Sequence, residues 1–422
     1  MILVNRSRVA ASPGDPHVAS ASADWHRSLL AAAALFQLGV LPVLWNEATF
    51  APSVLWTSIG AALMIAAIVS DHATTQTDRR LYRLTLAFVI GYPLLCLLSY
   101  LWSDHASPAR LGLLPTNAML MALGLLYFLF GAAIARHPFS AGLPAALVVA
   151  SVYGLAERAS FSPQEIYERL MYDGFRVDYQ YLGDAFVLCG LMVLPRVRSM
   201  GSRLLFTAPC VVVMFTIPSR SAAFFGALAL VFGLFLGARA WGRLIVGTAM
   251  TALFVGYQLL PLEEWFSNTR FETILTGGDD TSIDLRSRIL SHGLRVISEK
   301  PLLGEWAFQV DALGSRGLYV HNALDLWAQG GILAFALFVA LWVVALHRCF
   351  ELWQRDPRAG NACAPLLLFA GLSWAFSRNA AYVLLFLSLG YLAGMVGRRQ
   401  ALDHESDPST GIADGAPERA VA

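Results

Sequence analysis

Charge is scarce in this sequence. Asp, Glu, Lys and Arg make up 14% of the 422 residues, against about 25% in a typical soluble globular protein. The signs nearly cancel, with 30 Lys+Arg against 29 Asp+Glu and a formal net charge of +1. No global positive field is available for a polyanion, which excludes a nucleic-acid binder. Cysteine is sparse too, at five, an odd number. Cys96, Cys189 and Cys210 fall inside apolar runs, Cys349 and Cys363 flank a polar loop, and none has metal-ligand spacing. No structural disulfide is expected. The chain has no P-loop and no Gly-rich dinucleotide turn, and Gly277-Gly278 starts neither.

Apolar residues are abundant: 57% of the chain is hydrophobic and its mean hydropathy is +0.57. A bilayer core about 30 Å thick needs about 20 apolar residues per helix. Twelve runs approach that length, near 28–45, 51–70, 82–102, 114–135, 139–155, 179–195, 203–219, 222–238, 244–261, 322–346, 363–377 and 380–397. The expected fold class is therefore all-α, a polytopic membrane protein with about twelve transmembrane helices. A water-soluble enzyme and a disordered chain are excluded.

Basic residues set the orientation, because cytoplasmic loops hold an excess of Lys and Arg. With both termini cytoplasmic, inside segments carry 18 of the 30 cations, while short outside loops carry only Arg110, Arg220 and Arg378. The expected division is 1–27 as a disordered cytoplasmic tail, 28–261 as helices 1–9, 262–321 as a large outside loop, 322–397 as helices 10–12, and 398–422 as a second disordered tail. Inside loops are too short for a catalytic domain, so water-side chemistry falls to the 262–321 loop.

Within that loop, Thr281-Ser282-Ile283-Asp284 reads as a helix start with Asp284 as N-cap. Leu285, Ile289, Val296 and Ile297 recur at helical spacing, and Arg288, His292, Arg295 and Glu299 make a polar stripe at i, i+4, i+7 and i+11. Pro301 ends the helix. One reading is a basic amphipathic helix lying on the membrane surface. After the turn Lys300-Pro301-Leu302-Leu303-Gly304, Asn322 stands where helix 10 should begin and can cap it, with Asp325 in its first turn. His321 falls at the membrane–water boundary, where a lipid-linked substrate would present its head group. It is either an ordinary interfacial residue or a general base.

Three charges lie at the outside edges of apolar runs. Ser219-Arg220-Ser221 reads either as a snorkelling arginine or as an anion site, since a guanidinium matches phosphate bidentately. Ser377-Arg378-Asn379 is a second hairpin of that type. Asp184 lies about two turns into helix 6, where an ionisable residue is functional by default or pairs with one of these arginines.

Taken in order, these features resemble the O-antigen ligase and O-antigen polymerase family of bacterial membrane glycosyltransferases. Ser219-Arg220 with Ser221 and Ala222 looks like the family's Ser-Arg motif, and Arg286 like the arginine that opens its loop helix. Lys300-Pro301-Leu302-Leu303-Gly304 is similar to its Pro-x-x-Gly turn. His321-Asn322-x-Leu324, followed by Gly330-Gly331, resembles its His-Asn motif. Two positions depart from the pattern: Leu290 stands where the family usually has Trp, and Glu305-Trp306 replaces a second glycine.

The resemblance implies a GT-C-like helical fold in the bacterial inner membrane, with the large loop periplasmic. It implies metal-independent transfer of a glycan from an undecaprenyl-pyrophosphate-linked donor, without a cofactor. A ligase moves the glycan to the lipid A-core, and a polymerase moves it to the next repeat unit. His321 would be the catalytic base, with Arg220, Arg286 and Arg288 on the donor pyrophosphate and Asn322, Asp325 and Ser219 in support. Partners are then the donor, the acceptor and membrane lipids, with no nucleic acid. A transporter of lipid-linked sugars, the reading from another class, expects charges at mid-membrane. Here they gather at the outside edge.

Overall fold

A computed structural model describes residues 16–47, 50–71, 77–103, 107–137, 141–160, 179–217, 219–238, 243, 281–313, 322–378 and 382–405. Among them the chain is all-helical, without strands. The elements are α1 (Pro16–Leu35), continued through a π-helical turn (Phe36–Val40) into α2 (Leu41–Glu47), then α3 (Phe50–Ser70), α4 (Arg79–Leu101), α5 (Pro108–Leu111), α6 (Leu113–Arg136), α7 (Gly142–Ser160) and α8 (Tyr179–Val193). There follow α9 (Met200–Thr216), α10 (Arg220–Gly237), α11 (Thr281–Glu299), α12 (Phe308–Leu313), α13 (Leu324–Arg355), α14 (Pro357–Phe376) and α15 (Phe386–Glu405).

Five helices among the described residues are long and apolar enough to cross a membrane: Trp25–Leu44, Arg79–Leu101, Pro108–Arg136, Leu324–Arg355 and Pro357–Phe376. Shorter apolar helices occupy Leu55–Ser70, Gly142–Ala156, Met200–Met214 and Ser221–Gly237. The protein is thus membrane-embedded. Each apolar run of the sequence coincides with a helix except 244–261, which lies outside the described residues.

Two tail boundaries are corrected. Residues 16–27, expected to be disordered, form the first turns of α1. Pro16 suits a first helical turn, and no glycine or second proline interrupts the run that follows. At the other end α15 continues past 397 to Glu405, with the Arg399–Asp403 pair on its surface.

Lipid gives no hydrophobic push between helices, so close packing of small residues holds them together. Among the described residues a close approach of this kind joins α6 and α15. A Cβ added to Gly390 would lie 1.8 Å from the Phe128 carbonyl oxygen, and one on Gly394 2.5 Å from that of Ala132. Beside this seam Phe338, Trp342, Trp374 and Phe386 pack edge to face, with centroids 5.4–6.4 Å apart. All five cysteines are buried and unbridged.

At one end of the bundle Asp78 caps α4, accepting from the Leu81 amide at 2.9 Å, and pairs with Arg348 of α13 at 3.4 Å. Asp71 holds Arg136 and the His137 ring there as well. The opposite end, the loop end, carries α11, α12 and the start of α13.

Candidate functional site at the loop end

The long helix α13 is broken. Gly331 has φ 74° and ψ −178°, a conformation that only glycine holds without strain. A break deprives nearby backbone groups of their helical partners, and lipid offers none. The turn after α11 supplies them. The Pro301 carbonyl accepts from the Ile332 amide at 3.0 Å and from Trp327 Nε1 at 2.9 Å. The Glu305 amide donates to the Ala328 carbonyl at 2.7 Å. Gly304, at φ 65°, lets the turn sit flat on α13, where its own Cβ would meet the Ala328 oxygen at 2.5 Å. The Lys300–Gly304 turn and the Gly330-Gly331 pair are therefore two halves of one joint.

Glu305 and Trp306, the residues standing where a second glycine was expected, clamp that joint to α4 and α5. The Glu305 carboxylate accepts from Arg110 Nη1 at 2.8 Å and pairs with Lys300 at 3.2 Å. The Trp306 amide donates to Ser99 Oγ at 2.8 Å, and its indole N–H to the Arg110 carbonyl at 3.0 Å. Arg110 is buried in the short helix capped by Ser107. Burial alone would raise the Glu305 carboxyl, but Arg110 and Lys300 outweigh it and hold the group below its ordinary value. A carboxyl depressed on folding stabilises the fold above its unfolded pKa, about 4.3, and that contribution is lost as pH falls through the lower folded value. Protection of the Trp306 amide against hydrogen exchange is therefore expected to stay flat from neutral pH down to the ordinary carboxylate range and to fall below it. Glu305→Gln should remove the acid limb, in an acid-stop exchange series followed by mass spectrometry.

Helix α11 packs on this joint. Ile289, Val296, Phe308 and Ala328 form a small buried core, with Leu290 and Ile297 at its edge. Ile289 and Val296 of the apolar stripe thus face protein, covered by Phe308 and α13, which departs from the reading of a helix that lays this face on the membrane surface. Arg288 and Arg295 stay exposed, and the His292 ring stacks on Phe308 at 5.5 Å while touching Arg295. Burial and Arg295 together lower the His292 pKa, favouring the neutral ring.

The expected site residues fall as follows. Ser219 is buried and caps α10, accepting from the Ala222 amide at 3.4 Å. Arg220 is the first residue of α10, and its side chain lies outside the described residues, as does that of Arg286 in α11. His321 also lies outside them. Asn322 stands one residue ahead of Ala323, the N-cap of α13, and its Oδ1 accepts from the Leu324 amide at 2.9 Å. Asp325 is buried and accepts from Gln329 Nε2 at 2.7 Å. Helices α11 and α13 bring Arg288, Asn322 and Asp325 to one end of the bundle. Ser219 sits on another wall, because α10 packs on α14 and α14 on α13. Among the described residues no group of three or more His, Cys, Asp or Glu side chains is placed to hold a metal ion.

Arg110 had no assigned role at the sequence level, although it was one of only three cations in short outside loops. Asp184 pairs with Arg378 through two hydrogen bonds, Nε to Oδ2 at 2.8 Å and Nη2 to Oδ1 at 3.0 Å. Of the two alternatives for Asp184, the pairing is what the structure contains. Compared with models of known protein families and with curated proteins, the chain matches none.

Proposed function

We propose that this protein is a membrane glycosyltransferase of the O-antigen ligase type. It moves a glycan from an undecaprenyl pyrophosphate carrier to the lipid A-core at the periplasmic face of the bacterial inner membrane, across about twelve helices of GT-C-like arrangement. One observation carries the reading. The Lys300–Gly304 turn fills the break at Gly331, so that α11, with Arg286 and Arg288, is seated against the start of α13, which follows His321-Asn322. Three separated pieces of the resemblance thereby belong to one built unit.

The chemistry is a direct displacement. The acceptor hydroxyl forms a bond to the anomeric carbon, the bond from that carbon to the carrier phosphate oxygen breaks, and undecaprenyl pyrophosphate leaves with the electron pair. His321, whose imidazole can accept a proton near neutral pH, takes the hydroxyl proton. Arg220, Arg286 and Arg288 offset the charge gathering on the pyrophosphate. Ser219 holds the start of the helix that carries Arg220. Asn322 and Asp325 fix the start of α13 beside His321.

Cells lacking the gene and complemented with wild type, His321→Ala or Arg220→Ala test this on a gel of lipopolysaccharide and carrier-linked glycan. Core-only lipopolysaccharide with long carrier-linked polymer is the expected result for the deletion and for both variants. Core plus one repeat unit would instead mean a polymerase. A normal ladder from either variant would remove that residue from the mechanism. In vitro, loss of one charge-assisted contact from Arg220 should cost transfer about 10- to 150-fold, corresponding to about 1.5–3 kcal/mol.

A further inference from the structure

The loop ends of α8, α10 and α14 meet at an ion pair that the chemistry above does not use. Asp184 is fully buried and Arg378 is 1% exposed. Besides the two bonds to Asp184, Arg378 Nη1 donates to the Ser377 carbonyl at 3.2 Å and to its hydroxyl at 3.3 Å. The guanidinium lies 5.0 Å over the Tyr382 ring. Desolvating two charges costs about as much as their attraction returns, and apolar residues of similar volume often serve stability as well. An ion pair in an apolar bundle is thus weak evidence for a stability role and good reason to look for another.

Its place in the fold supplies one. Asp184 follows Gly183, where an added Cβ would stand 2.8 Å from Ala222 Cβ and 2.9 Å from Ser219 Cβ. The backbone that carries the carboxylate therefore abuts the cap and first turn of α10, the turn that opens with Arg220. Phe376, two residues before Arg378, lies 6.2 Å from the Phe225 ring and ties the end of α14 to the same part of α10.

We propose that Asp184 and Arg378 are positioning residues for the donor pyrophosphate site. The pair locks three helix ends in register, so that the α10 turn bearing Arg220 is held at a fixed place against the lipid-linked pyrophosphate. The role rests on the glycosyl-transfer reading above. A planar fork fixes distance and angle together, which an ammonium in the same place does not.

The test uses the full chain in nanodiscs, as wild type, Arg378→Lys, and the neutral double variant Asp184→Asn/Arg378→Gln. Binding of undecaprenyl pyrophosphate and of undecaprenyl monophosphate is read by native mass spectrometry, with Tm in parallel. Both variants are expected to lose pyrophosphate affinity about tenfold or more, since a positioned group displaced by an ångström can cost about 100-fold. The neutral double variant should do so at close to the wild-type Tm. Wild-type affinity in both variants overturns the role, as does a loss confined to proteins whose Tm has collapsed. Wild type that does not prefer the pyrophosphate removes the donor reading and this role with it. Wild-type preference with unaffected variants removes only the role of the pair.

Discussion

Replacing Gly331 by alanine should undock the loop segment from the bundle. The residue sits at φ 74°, ψ −178°, which costs an L-residue about 1–3 kcal/mol on its own. Crowding adds to that. The new Cβ would stand 2.0 Å from the Leu302 carbonyl oxygen, 2.5 Å from its carbon and 2.7 Å from Leu303 Cα. All three are backbone atoms and cannot swing aside as a side chain would. If the turn lifts, the Ile332 amide and the Ala328 carbonyl lose the Pro301 and Glu305 groups that satisfy them. Each orphaned group buried away from water costs about 1–3 kcal/mol. The sum places Gly331→Ala among the severe substitutions, at about 4 kcal/mol or more. It should lower Tm in detergent, expose the Arg295–Val296 peptide bond of α11 to trypsin and abolish the proposed transfer. Gly201→Ala is the control. Nothing lies within 4 Å of its added Cβ, so a neutral or slightly stabilising result, by up to about 1 kcal/mol, is expected from helix propensity. Wild-type trypsin resistance in Gly331→Ala would show that the joint does not hold the loop.

Helices were legible in the sequence because hydropathy reads local composition, and long apolar runs have few other solutions in lipid. The polar start of α13 was legible for the same local reason: Asn322 ahead of an apolar run needs only its immediate neighbours. The break at Gly331 was not, because its cause lies about thirty residues upstream. Gly330-Gly331 within an apolar run reads as ordinary close packing until the Pro301 carbonyl is found on the Ile332 amide. The position of α11 was also hidden. Its amphipathic pattern demands an apolar neighbour but does not say whether lipid or Phe308 will be that neighbour. For Asp184 the pattern narrowed the partner to a few outside arginines, and only the fold selects Arg378. The candidate site divides in the same way. Residue types and order came from the chain, while the clamp that holds them joins positions 110 and 305, too distant for any local pattern to connect.

That clamp separates stability from positioning, and a pair of variants should show it. Arg110 and Glu305 have side chains only 3% and 10% exposed. Arg110→Ala strands the carboxylate with Lys300 as its remaining cation. Removing one partner of a buried pair costs about 3–5 kcal/mol, and the Lys300 contact keeps this case near the lower end. Arg110→Met/Glu305→Leu removes both buried charges and should recover most of that loss, because Lys300, which gives up its Glu305 contact, has a side chain 31% exposed and within reach of water. It does not restore the clamp's direction. The Arg110–Glu305 bond, with Trp306 on Ser99 and on the Arg110 carbonyl, sets where the turn lies and hence where α11 presents Arg288. The apolar double variant should therefore approach wild-type Tm and still exchange the amides of α11 faster than wild type. Its rate of the proposed transfer should be reduced about tenfold or more, since small displacements of positioning groups weigh heavily on rate. Tm by differential scanning fluorimetry, exchange over 287–300 and transfer rate form one experiment on three proteins. A double variant restored in all three would reduce the clamp to a stabilising contact. One restored in Tm alone would make Glu305 and Arg110 the reason the loop helix is aimed, and would explain why a glutamate and a tryptophan stand where a second glycine was expected.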